Sequence, residues 1–148
     1  MGSRKRLARR GRAPQWFTRL APDAQLALLD DPYRELTEPL VGALGPDAEH
    51  VVGRVYTAHE RSTRYYLAPR AAVELVSARD RVGSWWRRLS PLHRVILLNN
   101  RHGAVPTALG GSVHATGGIL RLRRKRRLTP TPMAEVFLER EARERGRR

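Results

Sequence analysis

Arginine is the residue type with which this sequence could do most chemistry, and its side chains gather in two runs. The chain has 148 residues with 29 Lys and Arg against 14 Asp and Glu, a formal net charge of +15. Residues 121–127 hold six cations in seven positions, and residues 1–14 hold six cations and no acid. Adjacent cations repel one another and release their counter-ions when phosphates replace them. The two runs therefore predict a polyanionic partner.

We expect that partner to be nucleic acid, bound through phosphate contacts. Residues 1–14 have the composition of a disordered arm, and such arms often order on polyphosphate. A third contact surface is predicted where two arginines follow a tryptophan pair, with Arg94 nearby. The predicted binding residues are Arg4, Lys5, Arg6, Arg9, Arg10, Arg12, Arg87, Arg88, Arg121, Arg123, Arg124, Lys125, Arg126 and Arg127.

Motifs for catalysis are not recognised in the sequence. With no cysteine, thiolate zinc sites and cysteine nucleophiles are excluded. His59-Glu60 lacks the second histidine that a zinc-protease helix needs, and no phosphate-binding glycine loop ends in Lys-Ser or Lys-Thr. His102 and His114 could form an acid–base pair for RNA cleavage, or could be two exposed loop histidines. We prefer the second interpretation and expect neither an enzyme nor a metal or cofactor.

Membrane insertion and secretion are not indicated. The longest aliphatic stretch, residues 95–98, is far shorter than the roughly 20 residues that span a bilayer. No apolar segment follows the basic N-terminus, so we expect a cytoplasmic or nucleoid-associated protein without a membrane partner.

The elements that must position these side chains are predicted to be mainly α-helical. Proline, which tolerates the first helical position, precedes several segments with helical spacing of apolar residues. These segments are residues 46–67, 69–89, 91–99 and 132–145. We expect a small mainly-α domain with a glycine-rich β-hairpin or wing and basic terminal extensions. Its parts would be a disordered arm (1–14), a helical body ending in the basic run (15–127) and a C-terminal helix (128–148).

Trp85 and Trp86 stand next to each other on one of these helices, where neighbouring side chains point about 100° apart. Trp86 lies on the apolar stripe and is predicted to be core. Trp85 is predicted to be half-exposed, where it could stack on a base or a partner. We prefer the interpretation that it lies as a lid over a neighbouring helix. In the C-terminal helix, Met133, Val136 and Phe137 are predicted to dock on the body.

Residues 101–120 contain five glycines and allow two interpretations. In one, residues 113–115 pair with residues 119–122 around Thr116-Gly117-Gly118, and the hairpin leads into a basic ribbon like the wing of a winged helix. In the other, residues 108–116, which read Ala-Leu-Gly-Gly-Ser-Val-His-Ala-Thr, resemble the turn and second helix of helix-turn-helix DNA-binding proteins. Gly117 and Gly118 would then stand in the middle of the recognition helix and cost about 2 kcal/mol in propensity.

The continuation of this segment, with its arginine run, Thr-Pro-Thr-Pro and Glu-Arg-Glu-Ala-Arg, is similar to actinobacterial DNA-binding proteins, including linear-replicon terminal proteins. The resemblance covers about the last third of the chain and implies DNA rather than RNA as partner. A structural or assembly protein of a virion or ribonucleoprotein particle is the alternative. In that case the chain would form a homo-oligomer or larger assembly, with Trp85, Tyr65 or Phe137 as interface anchors where they are exposed.

Overall fold

The computed structural model describes residues 12–109, 119–123 and 127–148. It is mainly helical with two antiparallel β-hairpins, which confirms the predicted fold class. The chain divides into two compact units, one ending at Ala78 and the other beginning at Arg79. Among the described residues, no helix combines the length and apolar character needed to cross a membrane.

The first unit begins with short helices around an apolar core. These are α1 (Gln15–Thr18), α2 (Pro22–Asp30), α3 (Glu38–Leu44), a 3-10 turn (Gly45–Asp47) and α4 (Ala48–Val51). Phe17, Leu28 and Leu29 are fully buried, and the Trp16 ring meets the Phe17 ring edge-on at 6.0 Å. Trp16 therefore marks the start of the packed body.

A hairpin follows where the sequence predicted a helix over residues 46–67, and that prediction is wrong. Strand β1 (Val52–Thr57) pairs with β2 (Ser62–Leu67), and residues 58–61 form the loop. Both strands are rich in β-branched and aromatic residues, which fit a pleated surface better than a helix. Each strand has only six residues, so the same apolar positions match a helical period as well as a strand period.

Three helices that the sequence predicted are observed, and two of them lie wholly within the second unit. The long helix α5 (Pro69–Arg88) runs from the first unit into the second, and α6 (Pro91–Asn99) and α7 (Pro132–Gly146) follow. The Ser90 hydroxyl caps α6 by accepting a hydrogen bond from the His93 backbone N–H at 3.2 Å. Met133, Val136 and Phe137 are buried, which confirms that α7 docks on the body.

The second hairpin lies between α6 and α7 in the sequence. Strand β3 (Leu120–Arg123) pairs antiparallel with β4 (Arg127–Pro130), and an isolated antiparallel bridge joins Val105 to Leu128. A 3-10 turn (Thr107–Leu109) follows the bridge. One interpretation of the sequence predicted that residues 119–122 pair with residues 113–115. The observed partner of β3 is β4, and residues 113–115 lie outside the described part of the chain.

Candidate nucleic-acid interface

The second hairpin has one apolar face and one basic face. Leu120 lies opposite Pro130 and Leu122 opposite Leu128, while Arg121 lies opposite Thr129 and Arg123 opposite Arg127. Opposed residues of an antiparallel pair share a face, and the faces alternate along each strand. On the apolar face Leu120, Leu128 and Pro130 are buried. The other face exposes Arg121, Arg123 and Arg127, and we call these three residues the basic hairpin face.

Within the described part of the chain, the basic hairpin face has no carboxylate partner. Arg123 and Arg127 are directly opposed across the two strands, an arrangement that is destabilising for like charges. Among the described residues, no carboxylate lies within 4.0 Å of any of the three guanidinium groups. An anion between the opposed arginines would relieve their repulsion.

A groove of about 610 Å³ runs beside this face. Arg123, Arg127 and Thr129 line one side, and Gly103 and Ala104 line the other. A Cβ atom added at Gly103 would meet nothing within 4 Å, so the wall formed by Gly103 is low and open. The arrangement can hold an oxyanion, because the planar guanidinium fork matches two phosphate oxygens at once.

The loop that forms the second wall is held at both ends. On one side, the Val105 backbone N–H donates to the Leu128 carbonyl oxygen at 2.8 Å. On the other, Arg101 Nε donates to Glu139 Oε2 at 2.8 Å, and Arg101 Nη1 donates to the Leu98 carbonyl oxygen at 2.7 Å. These bonds place Gly103 and Ala104 along β4.

Glu139 is the acceptor on which this anchoring converges. Besides Arg101, Arg143 Nε donates to Oε1 at 3.2 Å, and His102 Nε2 lies 3.2 Å from Oε2. The hydrogen bond from Arg101 lowers the pKa of Glu139 below its ordinary value; burial opposes this, and Arg143 adds to the lowering. One carboxylate on α7 thus ties the helix to the loop before the groove.

His102, one member of the nuclease pair that the sequence left open, therefore lies against a carboxylate on α7. His114, the other member, lies outside the described residues. Within residues 12–109, 119–123 and 127–148, no three Asp, Glu, His or Cys side chains gather as a metal site.

The end of α5 carries the third predicted surface. Arg87 and Arg88 are exposed there. Arg94 has a structural role that the sequence did not indicate: its Nε donates to the Trp86 carbonyl oxygen at 3.1 Å, and its Nη2 donates to the Arg87 carbonyl oxygen at 3.0 Å. Its guanidinium also lies 5.7 Å from the Trp86 ring centre. Arg94 thus caps the carbonyl end of α5.

The two tryptophans before these arginines are both buried. Trp86 is core, as predicted, but the half-exposed position predicted for Trp85 is wrong, since its exposed fraction is 5%. Neighbouring side chains on a helix point about 100° apart, so one indole would be exposed if the helix packed against protein on only one side. Both indoles are buried, so protein packs over both directions. Trp85 is therefore not placed to stack on a base.

The predicted binding residues fall into three groups in the structure. Arg121, Arg123 and Arg127 are brought together on one face, and Arg87 and Arg88 lie on a separate element. Arg12 is exposed at the start of the described chain. The remaining residues lie outside the described part: Arg4, Lys5, Arg6, Arg9, Arg10, Arg124, Lys125 and Arg126.

Sequence reasoning missed the second wall of the groove and the carboxylate that anchors it. Gly103 belongs to a glycine-rich segment with no pattern that indicates a wall. Glu139 stands four residues before Arg143, a spacing that by itself indicates only a pair along an exposed helix. The contact between Glu139 and Arg101 spans 38 positions, which no local pattern signals.

Comparison of the chain with family models, with curated proteins and with solved structures finds no match. The resemblance to helix-turn-helix proteins stays a prediction, and residues 110–118, which carry much of it, lie outside the described residues.

Proposed function

We propose that this protein binds nucleic acid, DNA in preference to RNA, without catalysing a reaction. The observation that carries the proposal is the basic hairpin face, where three exposed arginines share one side of a two-stranded ribbon and two of them are directly opposed. Phosphate oxygens satisfy both the charge and the fork geometry of such a surface.

The distribution of charge between the two units supports the same proposal. The sequence from Arg79 onward holds 17 Lys and Arg against five Asp and Glu, a net +12 of the total +15. The unit that contains β3 and β4 therefore carries most of the net positive charge of the chain and produces a positive electrostatic field. Such a field attracts a polyanion over several ångströms before any contact forms.

The shape of the element favours DNA. The major groove of B-form DNA is wide enough for a two-stranded β-ribbon, whereas the major groove of A-form RNA is deep and narrow. The basic hairpin face would then contact phosphates along one such groove. The resemblance to DNA-binding proteins is a further reason to place DNA first.

Reversing one charge of the opposed pair tests the proposal. We expect Arg127→Glu to weaken binding to duplex DNA by about tenfold or more at moderate salt, because a phosphate contact becomes a repulsion. The fold should be as stable as before or more stable by up to about 1 kcal/mol, because Arg123 would then face a carboxylate. Fluorescence anisotropy with labelled duplex DNA and chemical denaturation measure the two effects.

Arg147→Glu is the matched control, since it makes the same charge change on an exposed arginine outside the hairpin. Equal weakening by the two variants would show attraction by net charge alone and would contradict the hairpin interface. Labelled single-stranded DNA and duplex RNA are titrated in parallel, and tighter binding of RNA would contradict the preference for DNA.

Assembly through protein contacts is the second candidate, and one observation favours it. Both faces of β1 expose an apolar side chain, since Val55 and Tyr56 alternate along the strand and expose 51% and 64% of their surface. The anchors named from the sequence fit less well, because Trp85 and Phe137 are buried and Tyr65 is half-buried. Sedimentation equilibrium with and without DNA discriminates the candidates: self-association without DNA supports assembly, and a monomer that binds DNA supports the first proposal.

A further inference from the structure

A second cleft, separate from the hairpin groove, lies where the end of α5 meets α7. Its volume is about 380 Å³. Gly83, Trp86 and Phe137 contribute apolar surface, and the Trp86 and Phe137 rings meet edge-on at 6.0 Å. Charged side chains supply the remaining lining: Arg79, Arg87, Arg94 and Arg140, with Asp80 and Glu141.

Arg87 and Arg94 each have a defined position at the cleft, and neither has a carboxylate partner among the described residues. Arg94 is fixed by its hydrogen bonds to two carbonyl oxygens of α5, which use part of its five donors. Arg87 Nη1 lies 3.7 Å from the place where a Cβ on Gly83 would stand, so this exposed side chain folds back over the cleft. No described carboxylate lies within 4.0 Å of either guanidinium.

The cleft suits an oxyanion better than an aromatic ring. The Trp86 indole is 6% exposed, and the guanidinium groups of Arg94 and Arg145 lie 5.7 and 5.9 Å from its centre. An aromatic ligand therefore has no free indole face on which to stack. Guanidinium donors are what the lining does present, and four arginines outnumber the two acids.

We propose that this cleft binds a phosphate-bearing ligand, with Arg87 and Arg94 as donors to its oxygens. The volume is several times the share of one water molecule, so it accommodates more than a single phosphate. The inference does not rest on the proposed DNA contact of the hairpin, because none of the cleft residues belongs to β3 or β4.

Calorimetric titration with sodium pyrophosphate at constant ionic strength tests the site. The full chain carries Arg121→Gln, Arg123→Gln and Arg127→Gln, so that the hairpin does not compete for the anion. We expect saturable binding that Arg87→Gln weakens about tenfold, because one charge-assisted contact is lost. Arg147→Gln, the same change on an exposed arginine that does not line the cleft, should change the affinity by less than about twofold.

Lack of saturation, or equal effects of Arg87→Gln and Arg147→Gln, would overturn the proposal, since both outcomes describe diffuse attraction. Circular dichroism confirms that each variant is folded.

A duplex DNA competitor then identifies the source of the phosphate. Displacement of pyrophosphate by DNA indicates a backbone phosphate, and saturable binding that DNA does not displace indicates a free phosphorylated compound. Loss of DNA binding with pyrophosphate binding retained would separate the two sites.

Discussion

Glu139 and Arg94 are the residues that hold the two candidate sites in shape. Glu139 accepts hydrogen bonds from Arg101 and Arg143, and Arg94 donates to two carbonyl oxygens at the end of α5. Glu139 joins α7 to a loop 38 positions away in the sequence, and Arg94 joins α6 to the end of α5, the helix before it. Removing Glu139 would loosen a wall of the hairpin groove, and removing Arg94 would loosen the end of α5 as well as delete a proposed ligand contact.

Replacing Glu139 by glutamine should lower the free energy of unfolding at neutral pH by about 1 kcal/mol. The variant loses charge-assisted bonds that are partly open to solvent, which places the loss at the low end for such bonds. Urea denaturation measures the difference. Glu135→Gln, the same change on an exposed part of α7, is the control and should cost less. Equal losses would show that the Glu139 contacts contribute nothing specific.

The lowered pKa of Glu139 predicts how the stability difference between wild type and Glu139→Gln depends on pH. A carboxyl whose pKa is lower in the folded than in the unfolded state stabilises the fold above its unfolded pKa, here about 4.5. That contribution is lost as the pH falls through the folded pKa. The stability difference between wild type and Glu139→Gln should therefore shrink below pH 4.5. A constant difference down to pH 3 would contradict the assignment.

At the scale of elements, the sequence predicted α5, α6 and α7 to within a residue or two, because proline marks each start and one apolar stripe runs through each helix. It failed at β1 and β2, where six-residue strands hold too few positions to separate the two periods. The basic run indicated a binding segment, but not that its two ends, Arg121–Arg123 and Arg127, belong to the paired strands β3 and β4. Its pairing depends on Leu120 and Leu128 being buried together, which is a tertiary effect.

Two glycines should respond in opposite ways to alanine. Gly83 is buried within α5, and a Cβ there would make ordinary contacts of 3.7 Å with Phe137 and Arg87. Gly83→Ala should stabilise the protein by up to about 1 kcal/mol through helix propensity. Gly45, with φ of +54°, has a backbone conformation that strains other residues, so Gly45→Ala should destabilise it by about 1 kcal/mol. Thermal denaturation measures both; a lower melting temperature for Gly83→Ala would mean that α5 and α7 pack closer than described.

At the scale of the whole molecule, charge is separated along the chain. Residues 15–52 carry a net −5, between the basic N-terminal run and the basic unit that begins at Arg79. A chain with this arrangement would present only part of its surface to a polyanion. The number of cations that engage the polyanion is therefore smaller than the total and can be counted from the salt dependence.

If about ten cations engage duplex DNA, the logarithm of the binding constant should fall with the logarithm of salt concentration at a slope near −9. Neutralising Arg121, Arg123 and Arg127 together should make the slope shallower by about 3, because each lost phosphate contact removes about 0.9. Anisotropy titrations of wild type and triple variant at several salt concentrations measure both slopes. A wild-type slope near −2 would contradict binding by several basic segments. An unchanged slope in the triple variant would place the phosphate contacts outside the basic hairpin face, because counter-ion release reports only the charges that touch the backbone.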